Sequence, residues 1–543
     1  MNTVKTWRQR RMNMMQPLVM ASVLFASAEV VAQTIQVSTT QELRDAIAQA
    51  NAGDRIELQD GVYRLDQKIN INRPGTTDAP IVIEAANLHQ AILEVNVVEG
   101  INWSAANWTM EGLHFKGVCA TPGNCEHALH ITADADNIVI RHNVFEDFNA
   151  QIKGNGIKQD DGSFLMPDDV LIEANEFFDN TVRPTGNPVT KIDIVGGNRW
   201  IIRGNFIHDF AKGEGNKISY AAFLKGKSTQ GVFERNLVVC EALHTGQIRL
   251  GLSFGGGGTG DQFCPDNTCT PEHSDGVMRN NIIAKCPTDV GIYLNESANT
   301  LIEHNTLFDN TGIDVRFESS SATLRNNLMS GRIRERNGGT ITLQEGNITQ
   351  LSSQDFAGLF TNPSALDFSL VDGSSFVDSG ITPSSSSLDY CGQSRDGLPD
   401  VGAIEYLTAN PCDTSVLPPF IEEDMSEGGE DMGSGGEEDM GQPVDDMGSG
   451  TGEDMGQPVG EDMGMAASDM GSTPDQGTST PGTHDDADMV TMDSDMDSPD
   501  TGATEDEGCS VAHAPTHQSP SKSPLMWLAA LVGLVGLARR KHP

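Results

Sequence analysis

The fold class this sequence predicts is an all-β parallel solenoid, and three features predict it. The first is a recurring phrase in which strand residues are followed by Asn and two apolar residues. It reads Ile138-Val139-Ile140-Arg141-His142-Asn143-Val144-Phe145, then returns over Leu171 to Phe177, Ile201 to Ile207 and Val232 to Val238. Later copies end at Asn281, Asn305, Asn327 and Asn347, and a weaker copy, Trp108 to Phe115, carries Gly112 in the Asn position. The second is spacing: from Gly112 the successive intervals are 31, 32, 30, 31, 45, 24, 22 and 20 residues. The third is composition, since the strand residues are β-branched or aromatic and no helical periodicity separates the copies. A repeat this short, made of strands and turns alone, stacks into one coil per repeat. Each coil then climbs about 4.8 Å, the interstrand distance. A leucine-rich repeat would need a different Leu spacing, and a propeller would need regular blades near 40 residues.

The elements run in order along the chain. Glu42 to Ala50 places Leu43, Ala46, Ile47 and Ala50 on one helical face, which suits a short helix capping the first coil. Asn at a fixed turn accepts a left-handed bend, and its amide can bond the Asn of the next coil. The body, residues 33–412, is therefore one solenoid domain.

Charge separates this body from the segment C-terminal to it. The 543 residues hold 35 Lys+Arg against 77 Asp+Glu, a net charge of −42. Of those acids 28 lie between Asp413 and Gly508, where no Lys or Arg occurs, leaving 77 − 28 = 49 acids for all 35 bases. That balance excludes a generic nucleic-acid binder, which needs a basic footprint. Residues 413–508 repeat Asp-Met-Gly, as at Asp431, Asp446, Asp454, Asp462 and Asp469, with Gly, Ser and Pro between. Such a segment buries too little apolar surface to offset its ordering entropy, so it reads as a disordered, self-repelling stalk.

The ends point to export. Lys5, Arg8, Arg10 and Arg11, the apolar run Pro17 to Ser27 and small residues after it read as a signal peptide over residues 1–32. In residues 509–543, Cys509 precedes a polar spacer, the apolar run Leu525 to Ala538 and Arg539-Arg540-Lys541. Fourteen apolar residues reach about 21 Å as a helix, short of a hydrocarbon core of about 30 Å. This order of features resembles the myxobacterial-type C-terminal sorting tail. The resemblance implies anchoring through Cys509 by cell-envelope machinery, at the surface of a bacterial outer membrane. A secreted form and a weak membrane anchor are the alternatives.

Setting Cys509 aside leaves eight cysteines in the body. Proximity pairs Cys119 with Cys125, Cys264 with Cys269, Cys391 with Cys412, and by remainder Cys240 with Cys286, among the 105 pairings that eight allow. None has CxxC spacing, and an oxidising compartment favours disulfides over a metal site.

Gly53-Asp54-Arg55-Ile56-Glu57-Leu58, Asp60-Gly61-Val62-Tyr63 and Gly75-Thr76-Thr77-Asp78-Ala79-Pro80-Ile81 resemble the opening of the pectin-lyase-like right-handed parallel β-helix superfamily. They are most similar to the polysaccharide lyase family of chondroitinase B and the alginate lyases. Pro399-Asp400-Val401-Gly402-Ala403-Ile404-Glu405 is similar to a closing motif of bacterial β-helices. The resemblance spans residues 35 to 405 and implies a single-stranded right-handed β-helix.

Alternation places chemistry on one face. With Leu129, Ile131, Ile152, Ile192, Ile194, Leu224, Ile248, Leu250, Val290, Ile292, Leu294, Ile313, Val315, Phe317 and Ile333 inward, the outward set is fixed. It holds His130, Gln151, Lys153, Lys191, Asp193, Lys225, Gln247, Arg249, Asp289, Tyr293, Asp314, Arg316, Glu318, Arg332 and Arg334. Opposite charges on adjacent rungs also simply stabilise a sheet. Uronic-acid polysaccharides break by β-elimination, which needs a base for the C5 proton and a cation or metal on the carboxylate. In the family resembled, a catalytic Lys sits in a Lys-Ser-like phrase with an Arg one coil later. Phe223-Leu224-Lys225-Gly226-Lys227-Ser228 and Gln247-Ile248-Arg249-Leu250 match that spacing, so the resemblance implies a base in the first phrase and Arg249 as its partner. Lys225 is the preferred base because it faces outward from the strand; Lys227 is the alternative by motif position. Lys153, Lys227, His273, Tyr293, Arg316 and Arg334 are the expected substrate contacts.

The family's acidic calcium ligands are replaced by Tyr220, Ala221 and Ala222, leaving Asp193, Asp289 and Asp314 as candidate ligands for calcium. Gly255 to Gly258 and Gly260, beside Cys264 and Cys269, suit a loop that walls a groove; they lack the Lys-Ser/Thr of a phosphate loop. His273 and Asp275 read equally as site or loop-fixing residues. The expected function is polysaccharide lyase-like, acting as a monomer on an acidic polysaccharide. A non-catalytic glycan-binding or adhesin solenoid and a glycoside hydrolase are the alternatives.

Overall fold

A computed structural model describes residues 32–371, 376–382, 386–408 and 411–414. The expected signal peptide, acidic stalk, sorting tail and Cys509 lie outside the described residues, save the first and last few positions. Three parallel sheets form the solenoid. Sheet A has twelve strands, from Thr34–Val37 to Thr340–Glu345, and sheets B and C have ten each. The chain visits A, then B, then C in every coil. The strands of sheet C are β1 (Ile69–Ile71), β2 (Glu99–Trp103), β3 (His127–Thr132), β4 (Ala150–Asn155) and β5 (Val189–Val195). They continue as β6 (Ile218–Lys225), β7 (Ile248–Phe254), β8 (Ile292–Asn295), β9 (Gly312–Arg316) and β10 (Arg332–Arg336).

The predicted Asn ladder occupies the turn from sheet A to sheet B. Asn143, Asn175, Asn205, Asn236, Asn281, Asn305, Asn327 and Asn347 stack, each side-chain carbonyl accepting the previous Asn's backbone N–H and amide at 2.7–3.1 Å. All but Asn347 are buried, so each bond satisfies groups that would otherwise be desolvated without a partner. At Gly112 the ladder ends, and Leu113 N–H donates instead to Asn143. The bend residue before each Asn is left-handed, as at His142, Ala174 and Arg235.

Inside, like residues stack coil on coil. Phe115, Phe145 and Phe177 lie face to face at 5.0 and 4.9 Å, and Ile152, Ile192, Ala222, Leu252, Ile292, Ile313 and Ile333 form one inward file. The capping helix, α1 (Thr40–Gln49), buries Leu43, Ala46 and Ile47, with Thr39 accepting from Glu42 N–H. All four expected cysteine pairs are bonded.

Two features were not anticipated. On the outside of sheet A, the last strand position alternates Glu111, Arg141, Glu173, Arg203, Glu234, Arg279, Glu303, Arg325 and Glu345 in register. The sequence after the last coil, with α2 (Ser353–Leu359), folds back on the outer side of sheet B. There Phe356, Phe360, Phe368, Tyr390 and Ile404 pack on Leu237, Ile282, Phe308 and Leu328. The segment read as a closing motif thus covers a side of the solenoid. Its buried Arg395 bonds Glu405, Asn280 and the carbonyls of Gly402 and Ala403.

Candidate functional site

The outer face of sheet C gathers most of the expected residues. Register places Asn102, His130, Lys153, Asp193, Phe223, Ser253, Tyr293, Asp314 and Arg334 in one central row. A second row, nearer the turn to sheet A, runs from Val195 and Lys225 across Gly255 to Asn295, Arg316 and Arg336.

The early coils are charge-balanced. His130 sits between Glu99 (2.8 Å) and Asn155 (2.9 Å), and Glu99 also takes Lys68 at 2.9 Å. These bonds, the His130 one foremost, hold the Glu99 carboxyl down to about 2. Lys153 donates to Asp193 at 2.8 Å. The late coils differ. Buried Asp314 takes Arg334 at 2.6 and 3.1 Å and Arg336 at 2.9 Å, while Arg316 donates to the Tyr293 hydroxyl at 3.2 Å. Burial raises the Tyr293 hydroxyl above its ordinary value, so it keeps its proton.

Between them lies an aromatic floor. Tyr220 and Phe223 meet edge to face at 5.5 Å, and Tyr220, Leu250, Val290 and Tyr293 form a small apolar cluster of their own. Lys225 lies over the Phe223 ring at 5.0 Å and donates to the Gly257 carbonyl at 3.2 Å. The glycine-rich loop walls this point, as expected. Gly255 has φ +73°, and a Cβ there would stand 1.8 Å from the Asn295 carbonyl oxygen, so the loop passes only because the residue is glycine. Its neck is closed by buried Glu272, which accepts from Thr259 N–H and hydroxyl. Lys227 bonds Thr268 at 2.6 Å, and Lys158 on the hairpin Ile157–Lys158/Phe164–Leu165 bonds Asn267 at 2.7 Å, so both tie down the same wall.

Three expectations are corrected. Arg249 is fully buried, bonded to the carbonyls of Cys240 and Gly246 and to His244, and it pairs in register with Ser219. Six strand positions, about 20 Å, separate it from the Lys225 end of β6. The Lys-to-Arg spacing therefore joins nothing. Lys191 and Gln151 are also buried: Lys191 donates to Asp179 at 2.6 Å and to the Phe148 carbonyl at 2.7 Å. Burial pushes Asp179 up to about 6 and Lys191 down to about 8, which leaves the pair ionised near neutral pH. His273 is interior, stacked on Phe254 at 4.0 Å and accepting from Gly231 N–H, with burial driving it down to about 3. It fixes the turn. Asp275, beside it, accepts from the Asn299 amide at 2.7 Å.

The donors do not fit a calcium ion. Asp193 is neutralised by Lys153, Asp314 by two arginines, and Asp289 accepts from its neighbour Val290 N–H at 2.8 Å. Among the described residues no three His, Cys, Asp or Glu side chains gather to hold a metal. Tyr220, Phe223 and Asn295 were missed as floor residues. Their signal was register: Phe223 stands two before Lys225, on the rung after Asp193 and two before Tyr293 once the coils are aligned.

Comparison with known proteins agrees on the fold. Residues 26–188 match a family described as Pel9A-like, right handed beta helix region, and residues 263–358 match one described as right handed beta helix region. An alginate lyase from Paenibacillus sp. str. FPU-7 is similar at 15% identity, covering 57% of this chain and 99% of its own, with TM-score 0.40. The pectate lyase Pel9A is similar at 14%, covering 70% and 98%, with TM-score 0.48. A GH136 lacto-N-biosidase from Eubacterium ramulus is similar at 11%, covering 59% and 68%, with TM-score 0.40. These are likenesses of fold alone. A search of curated proteins finds no match.

Proposed function

Taking the right-handed β-helix as frame, we propose that this chain binds a uronic-acid polysaccharide along the outer face of sheet C and cleaves it by β-elimination. The observation that carries the reading is the row from Lys225 across Gly255 and Asn295 to Arg316, beside the Phe223 and Tyr293 rings. Three strand steps, about 14 Å, separate the two backbones. Both side chains are long, and Arg316 already leans back to Tyr293. A sugar ring on the aromatic floor then has an amine on one side and a guanidinium on the other.

In this reading the Lys225 amine takes the C5 proton, and the C–H electrons form the C4–C5 double bond as the C4–O bond breaks. Arg316 neutralises the carboxylate on which charge develops. Tyr293, still protonated, donates to the departing oxygen. Arg249 has no part. Export and surface display, inferred from the two ends, would place this reaction outside the cell.

The test is ultraviolet absorbance of unsaturated product from alginate, pectate and chondroitin. We expect a signal from one of them that Lys225→Ala abolishes. A second reading, non-catalytic glycan binding, is favoured by the Lys225 bond to the Gly257 carbonyl and the separation from Arg249. Glycan binding without product across the panel would select it.

A further inference from the structure

We infer that the last two coils hold a second subsite, which takes the acidic group, a carboxylate or a sulfate ester, of a sugar at one end of the bound chain. This rests on the reading that sheet C holds an acidic polysaccharide. The subsite is an open pocket of about 370 Å³ lined by Thr311, Ser330, Gly331, Arg332, Arg334 and Gln350.

Its walls supply donors. Arg334 uses Nε and Nη2 on Asp314, which leaves Nη1. The Arg332 side chain is exposed and has no hydrogen-bond or ion-pair partner among the described residues. Beneath them the backbones of two coils interlock: a Cβ on Gly331 would lie 2.2 Å from both Gly312 N and Thr311 C. The floor is bare main chain. Buried in it, the Thr311 hydroxyl has no partner. Guanidinium forks over a polar floor suit a planar or tetrahedral oxyanion, which they bind through paired hydrogen bonds.

The competing explanation is that β10, the last strand of its sheet, carries charge only to block pairing by another strand. Charge of either sign would serve that end. On this face Arg316, Arg332, Arg334 and Arg336 stand against Asp314 and, near Arg334 and Arg336, Asp289, although outside residues 413–508 the chain has 49 acids to 35 bases. Glu335 turns aside to accept from Ile341 N–H. An acidic protein that concentrates arginine at one place, while from Glu111 to Glu345 on sheet A it alternates Arg with Glu, has an anion site there.

Position makes the inference testable. From Lys225 on β6 to Arg332 on β10 is four strand steps and four residues along the strand, about 19 Å by about 13 Å. A disaccharide cannot span that; an octasaccharide can. Binding would be measured by calorimetry on the full chain carrying Lys225→Ala, to keep ligands uncut, with uronic-acid di- and octasaccharides and a sulfated octasaccharide.

Arg332→Gln should weaken an octasaccharide about tenfold, equivalent to one charge-assisted contact, and leave the disaccharide unchanged. Gln350→Ala should do the same to a smaller degree. Loss confined to the carboxylated or to the sulfated octasaccharide identifies the group read. If Arg332→Gln changes no ligand, or weakens the disaccharide equally, the subsite is overturned while glycan binding stands. If the parent binds none of the ligands, both fall.

Discussion

The outer faces of sheets A and C are built from the same coils with the same register, yet they treat charge in opposite ways. On sheet A each Arg from Arg141 to Arg325 has a Glu on the strand before and the strand after, with Arg279 Nε, for example, 2.8 Å from Glu234. On sheet C balance holds only as far as the Lys153–Asp193 pair, after which the rungs turn aromatic and then cationic. Strict alternation is what a sheet needs for its own sake, because neighbours one rung apart attract. Departure from alternation is therefore the informative quantity. Charge alone would have pointed to both faces.

Breaking charges in each place should separate the two roles. The largest effect on stability is expected inside, at Asp179→Ala, which leaves Lys191 buried and unpaired and should cost about 3–5 kcal/mol in denaturant unfolding. A cost below 1 kcal/mol would mean that water reaches Lys191. Next, Arg316→Gln should lower kcat on the responsive polysaccharide by about 100-fold, as loss of a group aimed at developing charge does, with the unfolding midpoint unmoved. Equal loss from Arg249→Gln without unfolding would reverse the corrected assignment.

Smaller still is the sheet A ladder. Arg203→Gln should cost about 0.5–1 kcal/mol, and removing Glu173 as well should recover part of it, with turnover unchanged throughout. Any change in turnover would erase the distinction between the faces. The subtlest effect is with pH. Glu99 and Glu146 are both held at about 2, against an ordinary 4.5, by partners that include His130 and, for Glu146, His114 and Lys116. Each depressed carboxyl stabilises the folded state above about 4.5, and that contribution is lost as pH falls through about 2. Glu99→Gln should flatten the decline of the unfolding midpoint over that window; an unchanged slope would show that its bonds are not kept in solution.

The solenoid was legible because its cause is local and repeated: one Asn per coil, at one turn, marks every rung. The disulfides were legible from proximity along the chain. The site was read less well, and Arg249, Lys191 and His273 show why. Alternation assumes a flat strand, but Ala221 and Ala222 both lie in the core, so the face exchanged at that bend puts Tyr220 outside. Lys191, opposite Ala221 at the bend, and Arg249, opposite Ser219 just before it, reach into the turns from sheet B to sheet C, where Phe148 and Asp179 or Cys240 and His244 bond them. His273 belongs to a second, three-stranded sheet in the turn, with Ser228–Thr229 and Ser297–Ala298, that no periodicity announces. The Glu–Arg alternation at Arg141, Glu173, Arg203 and Glu234 was visible in the very phrases that defined the repeat.

The Asn ladder has a direction. Each Asn gives its backbone N–H and amide to the carbonyl of the Asn in the following coil, never the reverse. A coil is thus incomplete until its successor arrives, and the newest coil always offers two unmet donors as a template. For a chain that emerges N-terminus first, assembly by such a ratchet can keep pace with emergence, each rung locking the one before it.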